Sequence, residues 1–146
     1  MQDQKKAEEA LGSSRGGMST KIHAVTEGLG RCIDFVLTEG QTHESTQIEQ
    51  LLKDKTPENV LGDKAYDSNA IRNLLENMNA QAVIPYRSCR KEAIEYDRHT
   101  YKERRLVENF FQFIKRYRRI GTRYEKTAQN YSGMIILACI LQWTIF

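Results

Sequence analysis

The chain has 146 residues, 40% of them hydrophobic and 28% charged, with a net charge of +3. That length and apolar share suit one globular domain with its own core; they argue against a membrane protein, because the longest apolar run, Met134 to Leu141, falls far short of the roughly 20 residues that span a bilayer. Cys32, Cys89 and Cys139 are odd in number and lack paired metal spacing, which speaks against a disulfide framework and a zinc site, and the hydrophilic stretch Met1 to Ala7 has no signal-peptide pattern, so the expected compartment is the cytoplasm.

Residues 1–18 are polar and lack a periodic apolar face, so they read as a loop or a frayed short helix within a flexible N-terminal segment of residues 1–20. Ser14, Arg15, Gly16 and Gly17 could bring backbone and a guanidinium up to a phosphate, although such a cluster serves as readily as a linker. From Ser19 the stretch STKIHAVTEG and, after Leu29 and Gly30, RCIDFVLTEG with Ile33, Phe35 and Leu37 alternating predict a β-hairpin. QTHESTQIEQLLKD then places Ile48, Leu51 and Leu52 on one helical face, with Thr42 or Ser45 as cap.

Pro57 interrupts, and Val60 and Leu61 begin a short buried strand that runs out into Gly62, Asp63, Lys64, Ala65, Tyr66 and Asp67. Asp63 stands where a strand meets a loop, a place where α/β proteins expose functional groups. Asp67 with Ser68 reads as the N-cap of the next helix, which turns Ile71, Leu74 and Leu75 inward. Ala82, Val83 and Ile84 predict another short strand before Pro85, and Tyr86 to Thr100 a charged loop.

The stretch YKERRLVENFFQFIK, Tyr101 to Lys115, predicts one continuous helix. At about 100° per residue, Tyr101, Arg104, Glu108 and Lys115 fall within an arc of about 60°. Val107, Phe110, Phe111 and Ile114 share the neighbouring arc, so the helix lays its apolar side on a sheet and carries a half-shielded polar stripe along the edge. Arg116, Arg118, Arg119 and Arg123 follow as candidates for phosphate contact, with Gly121 as a helix break. Thr127 to Phe146 predicts a packing helix through Tyr131, Met134, Ile135, Ala138 and Leu141, with Trp143 as a packing residue. Charge is uneven: Tyr86 to Lys126 holds 13 Lys or Arg against 6 acids, and the rest of the chain 9 against 13, so the positive field concentrates around the organising helix and suits a polyanion such as DNA.

Tyr101, Arg104, Glu108 and Lys115 at this spacing resemble the tyrosine, arginine, glutamate and lysine signature of insertion-sequence transposases of the DDE type. SRGGMSTKIHAV from Ser14 and LGDKAYDS from Leu61 resemble other blocks of that family in the same order, and the resemblance covers nearly all of residues 12–146. Gly40, Gln41 and His43 resemble a further block, or are simply a loop and a cap. What the resemblance implies is a ribonuclease-H-like α/β fold over residues 21–146, a mixed sheet with flanking helices, that cuts and rejoins DNA strands. It implies Asp63 and Glu108 as catalytic acids and ligands of two magnesium ions, with Arg104, Lys115 and Tyr101 neutralising or positioning phosphates.

In the family the first catalytic Asp lies on a strand well before the serine, arginine and double-glycine block. Here Asp3 sits too near that block and lacks an apolar strand, and Asp34 on the second hairpin strand is the other conceivable stand-in. The expectation is therefore the C-terminal part of a transposase, without the first catalytic Asp and its central strand, inactive alone, and either a second reading frame of a frameshifted element or a decayed remnant. Its expected partners are DNA at the terminal repeats and target, an upstream transposase segment or reading-frame product, and further copies of itself, with no membrane. A non-catalytic DNA-binding or regulatory remnant and a nuclease that cuts without joining are the rival readings.

Overall fold

The computed structural model describes residues 9–14 and 17–145. Asp3, Arg15 and Gly16 lie outside the described residues. In chain order the elements are β1 (Gly12–Ser14), β2 (Gly17–Thr26), β3 (Cys32–Glu39), α1 (Ile48–Leu52), β4 (Asn59–Leu61), α2 (Asn69–Asn77), β5 (Gln81–Val83), α3 (Arg98–Tyr101), α4 (Arg105–Lys115), α5 (Arg118–Gly121) and α6 (Ala128–Ile145), with 3-10 turns at Glu44–Gln47, Lys64–Tyr66 and Lys102–Arg104. The class is mixed α/β, as expected, and among the described residues the strands form two small sheets, β1-β2-β3 and β4-β5. The chain divides into two compact units, one built from the segments up to Thr42 and from Leu106 onward, the other from His43–Arg105.

In the first unit the expected hairpin is present, with Thr20 opposite Glu39, Ile22 opposite Leu37 and Ala24 opposite Phe35, and a bulge between Val25 and Thr26. Its turn needs a glycine: Gly30 has φ +86°, and a Cβ there would meet Leu106 at 3.1 Å. The loop or frayed helix expected over residues 1–18 is corrected where the structure describes it. Gly12–Ser14 has no alternating apolar pattern to reveal a strand, and its extended form comes from pairing with β2, Gly12 opposite Ser19 and Ser14 opposite Gly17.

Phe110 and Ile114, one helical turn apart on α4, are fully buried with Cys32, Ile120, Tyr131, Ile135 and Ala138, and the hairpin's Ile22, Ala24, Phe35 and Leu37 pack against that cluster. The C-terminal end of α6 is tied to the hairpin turn. Gln142 is buried, accepts from the Cys32 N–H at 3.1 Å and donates to the Gly30 carbonyl at 3.0 Å, which satisfies an N–H at the start of β3 and a carbonyl of the hairpin turn. Trp143 donates its indole N–H to the Cys32 carbonyl at 2.8 Å, and the Arg31 guanidinium lies 4.0 Å over its ring. No helix among the described residues is long and apolar enough to cross a membrane.

In the second unit β4 and β5 pair in parallel, Val60 opposite Ala82 and Leu61 opposite Val83, and α2 makes the crossover between them. Ile71 and Leu75 of α2 are buried, as are Val83 and Ile84. Ser68 caps α2 by accepting from the Ile71 N–H at 3.2 Å. The Glu44–Gln47 turn that leads into α1 is capped by neither Thr42 nor Ser45 but by His43, whose Nδ1 accepts from the Ser45 N–H at 3.3 Å.

The continuous helix expected from Tyr101 is also corrected. Lys102–Arg104 is a 3-10 turn between α3 and α4. Such a turn advances about 120° per residue instead of 100°, so the regular spacing expected from Tyr101 onward does not hold through it.

Candidate functional site

Asp63 ends the β4 connection as the cap of the Lys64–Tyr66 turn: its Oδ1 accepts from the Ala65 N–H at 2.8 Å, and its carbonyl from the Tyr66 N–H at 3.0 Å. The carboxylate is half-buried, and its second oxygen accepts from no other described residue. The turn it caps is clamped from outside. Arg87 donates from Nε to the Lys64 carbonyl at 3.0 Å and from Nη2 to the Ala65 carbonyl at 2.6 Å.

Behind this lies Asp67, whose side chain is fully buried. Its Oδ1 accepts from Arg72 Nε at 2.8 Å, and its Oδ2 from Arg90 Nε and from the Arg87 N–H, each at 2.7 Å. Arg72 also donates to the Ile84 carbonyl at 2.9 Å, which joins α2 to the end of β5. Burial alone would raise the Asp67 pKa, but Arg90, the Arg87 N–H and Arg72 outweigh it and bring it down to about 2. Of the two residues expected to form the N-cap, Ser68 makes it and Asp67 does not: Asp67 instead gathers three arginines that the sequence scatters over residues 72 to 90.

Tyr101 and Arg104 are half-buried, with the Arg104 guanidinium 5.8 Å over the Tyr101 ring and Tyr96 edge-on to that ring at 5.4 Å. In the first unit Glu108 lies in the first turn of α4 and Lys115 in its last, each at the end where the helix dipole favours its charge. Seven residues apart, they share a face about 10 Å along the axis from each other. Glu108 is exposed rather than half-shielded, because the α4 side chains that turn into the core are Phe110 and Ile114.

Lys115, Arg116, Arg118 and Arg119 form an exposed basic end to α4 and α5. Gly121 closes α5 where a Cβ would come within 2.9 Å of the Lys115 carbonyl, so glycine lets the chain fold back on itself there. Arg118 donates to the Tyr124 hydroxyl at 3.1 Å, and Arg119 Nε is 3.3 Å from Glu125 Oε1, close enough for charge attraction but not aligned as a hydrogen bond. Arg123 turns inward instead. It donates to the Glu9 carbonyl at 2.8 Å and to Thr20 Oγ1, and lies 5.2 Å over the Tyr131 ring, while burial pulls its pKa down.

Aspartate and glutamate oxygens are the right donors for a hard divalent cation, and Asp63 in the second unit and Glu108 in the first each offer that chemistry. They fall short in number, since no group of three His, Cys, Asp or Glu among the described residues could hold a metal ion. Asp34 on β3 turns its Oδ1 to the Phe35 N–H at 2.9 Å.

Comparison with known proteins gives this arrangement its class. The family model described as "Transposase DDE domain" matches residues 2–143. The chain belongs to that family, the DDE transposases of insertion sequences. A Brucella ovis protein named "Putative transposase for insertion sequence element IS6501" is 37% identical over 128 residues, 86% of this chain and 98% of the relative. A Burkholderia cepacia protein named "Putative transposase for insertion sequence element IS402" is 25% identical over 141 residues, 88% of this chain and 64% of the relative. No solved structure matches. Transposases act on DNA, and membership of the DDE family implies a divalent metal cofactor in general.

Proposed function

We propose that this chain carries the second and third acids, Asp63 and Glu108, of a ribonuclease-H-like transposase that cleaves and transfers DNA strands at the ends of its insertion sequence. One observation carries the reading: Glu108 stands exposed on α4, and that helix leads into the exposed basic side chains Lys115, Arg116, Arg118 and Arg119. Such a row can hold a phosphate backbone beside a carboxylate. Arginine supplies planar forks for phosphate oxygens and Lys115 a point charge. Arg104 and Tyr101 act as positioning groups, and the inward-turned Arg123 contributes to DNA binding only by holding the first unit together.

Asp63 and Glu108 would be the ligands of the divalent ions, proposed to be two magnesium ions, which when bound supply an activated nucleophile and a stabilised leaving oxygen. A third acid on a central strand completes the site in this reading, and we place it on a segment other than the described residues. One feature supports that placement: among the described residues β4-β5 is a parallel pair of two strands, whereas parallel sheets gain stability from further strands and from cover on both faces. The chain alone would then bind DNA without cutting it, in the cytoplasm and as an oligomer. The uncharged helix α6 supports self-association, with Ile136, Leu137, Ile140 and Ile145 exposed.

The test is cleavage of a terminal-repeat duplex by the chain alone and by the chain fused to an upstream transposase segment, each as wild type and as Glu108→Gln. Cleavage by the fused wild type alone supports the reading. Salt-sensitive binding with no cleavage in any form favours the non-catalytic DNA-binding remnant, and cleavage without strand joining favours a nuclease.

A further inference from the structure

Arg87 is spent on the backbone around Asp63, and nothing in the proposed chemistry uses it. Its guanidinium holds the carbonyls of Lys64 and Ala65 at once, at 3.0 and 2.6 Å, and its own N–H is fixed on Asp67 Oδ2 at 2.7 Å. Asp67 is anchored in turn by Arg72, which reaches the Ile84 carbonyl, and by Arg90. On the far side, the Ala65 peptide whose carbonyl Arg87 grips follows the N–H that Asp63 Oδ1 accepts at 2.8 Å.

A three-residue 3-10 turn has poor hydrogen-bond geometry and little stability of its own. Held at two successive carbonyls by a planar fork, it becomes a fixed platform. We infer that Arg87, seated on Asp67, is a positioning residue for Asp63: it locks the Lys64–Tyr66 turn so that one carboxylate oxygen stays bound to the Ala65 N–H and the other is presented to a divalent cation. The inference rests on the reading of Asp63 as a metal ligand. Partners that orient a ligand carboxylate are worth roughly 10- to 100-fold in metal affinity.

Arg87→Lys separates this role from folding. It keeps a positive charge and the backbone N–H on Asp67, but an ammonium cannot reproduce the fork that spans two carbonyls. Amide hydrogen exchange is measured at Ala65 in the full chain, with Val83 in the neighbouring strand as control, and Mn²⁺ binding is followed by electron paramagnetic resonance in the chain fused to the upstream transposase segment, for wild type, Arg87→Lys and Asp63→Asn. The expected result is faster exchange at Ala65 by tenfold or more with Val83 unchanged, and Mn²⁺ affinity about tenfold weaker in Arg87→Lys and lost in Asp63→Asn.

Unchanged Ala65 exchange, or wild-type Mn²⁺ affinity in Arg87→Lys while Asp63→Asn loses it, overturns the positioning role alone. Equal Mn²⁺ binding by wild type and Asp63→Asn overturns the metal role of Asp63, and the positioning role with it. If Arg87→Lys also speeds exchange at Val83, Arg87 serves the whole unit and the inference fails.

Discussion

Replacing Asp67 by Asn should cost the His43–Arg105 unit about 3 kcal/mol. The carboxylate is fully buried and accepts from two guanidinium groups and a backbone N–H, all within 2.7 to 2.8 Å. Removing one partner of a buried ion pair leaves uncompensated charge and costs about 3 to 5 kcal/mol; the lower end applies because the Arg72 and Arg90 side chains are 15% and 22% exposed and can turn to water. An asparagine keeps the volume but sets an N–H₂ group against donors. Native-state hydrogen exchange at Leu75 and Val83, both fully buried in this unit, should therefore run about a hundredfold faster in the variant, since about 1.4 kcal/mol corresponds to tenfold.

The same residue sets an acid limit. Its folded pKa is depressed from 3.8 to about 2. Its ionisation therefore contributes stability that is fully present above the unfolded value and is lost as pH falls through the folded one, roughly 2 kcal/mol at about 1.4 kcal/mol per unit. Urea unfolding of wild type from pH 5 down to pH 2 should show this loss, and Asp67→Asn should lack it. An exchange rate at Leu75 within threefold of wild type, or an acid-induced loss between pH 4 and 2 of equal size in both proteins, would refute the reasoning.

Gln142→Leu should lower stability by about 2 kcal/mol in thermal or urea unfolding, because the Cys32 N–H and Gly30 carbonyl would lose their partner in a buried place. Gly121→Ala should cost about 1 to 3 kcal/mol by pressing a Cβ against the Lys115 carbonyl, read as a lower urea midpoint. The combined change of Arg116, Arg118 and Arg119 to Ala should flatten the log–log dependence of DNA affinity on salt by up to about 0.9 for each phosphate no longer neutralised; a slope equal to that of wild type would remove these residues from the interface.

Periodic apolar residues made much of the fold legible in advance. Ile71 and Leu75, then Phe110 and Ile114, lie four residues apart and are buried as that spacing requires, and the alternation of Phe35 with Leu37 marked β3. β1 escaped because Gly-Ser-Ser has no side chains that report a face. The 3-10 turn at Lys102–Arg104 escaped because Lys, Glu and Arg are polar and suit either kind of helical turn. Asp63 and Glu108 stood out through motif blocks and not through charge, since carboxylates at a strand end or on a helix edge are commonplace. The partners of Asp67 were hidden for a different reason: Arg87 and Arg90 follow it by 20 and 23 residues, and only the β4-α2-β5 crossover brings them to it.

The division of the chain has a kinetic side. The hairpin unit is made from both ends of the sequence, and its Cys32 to Gln142 hydrogen bond joins residues 110 apart. The His43–Arg105 unit is one uninterrupted stretch. During synthesis the inserted stretch emerges whole, while the hairpin waits with the core-facing sides of Ile22, Phe35 and Leu37 uncovered until α4 and α6 emerge. Release from the ribosome before Gln142 would therefore leave the apolar side of the hairpin without the helix end that ties it down.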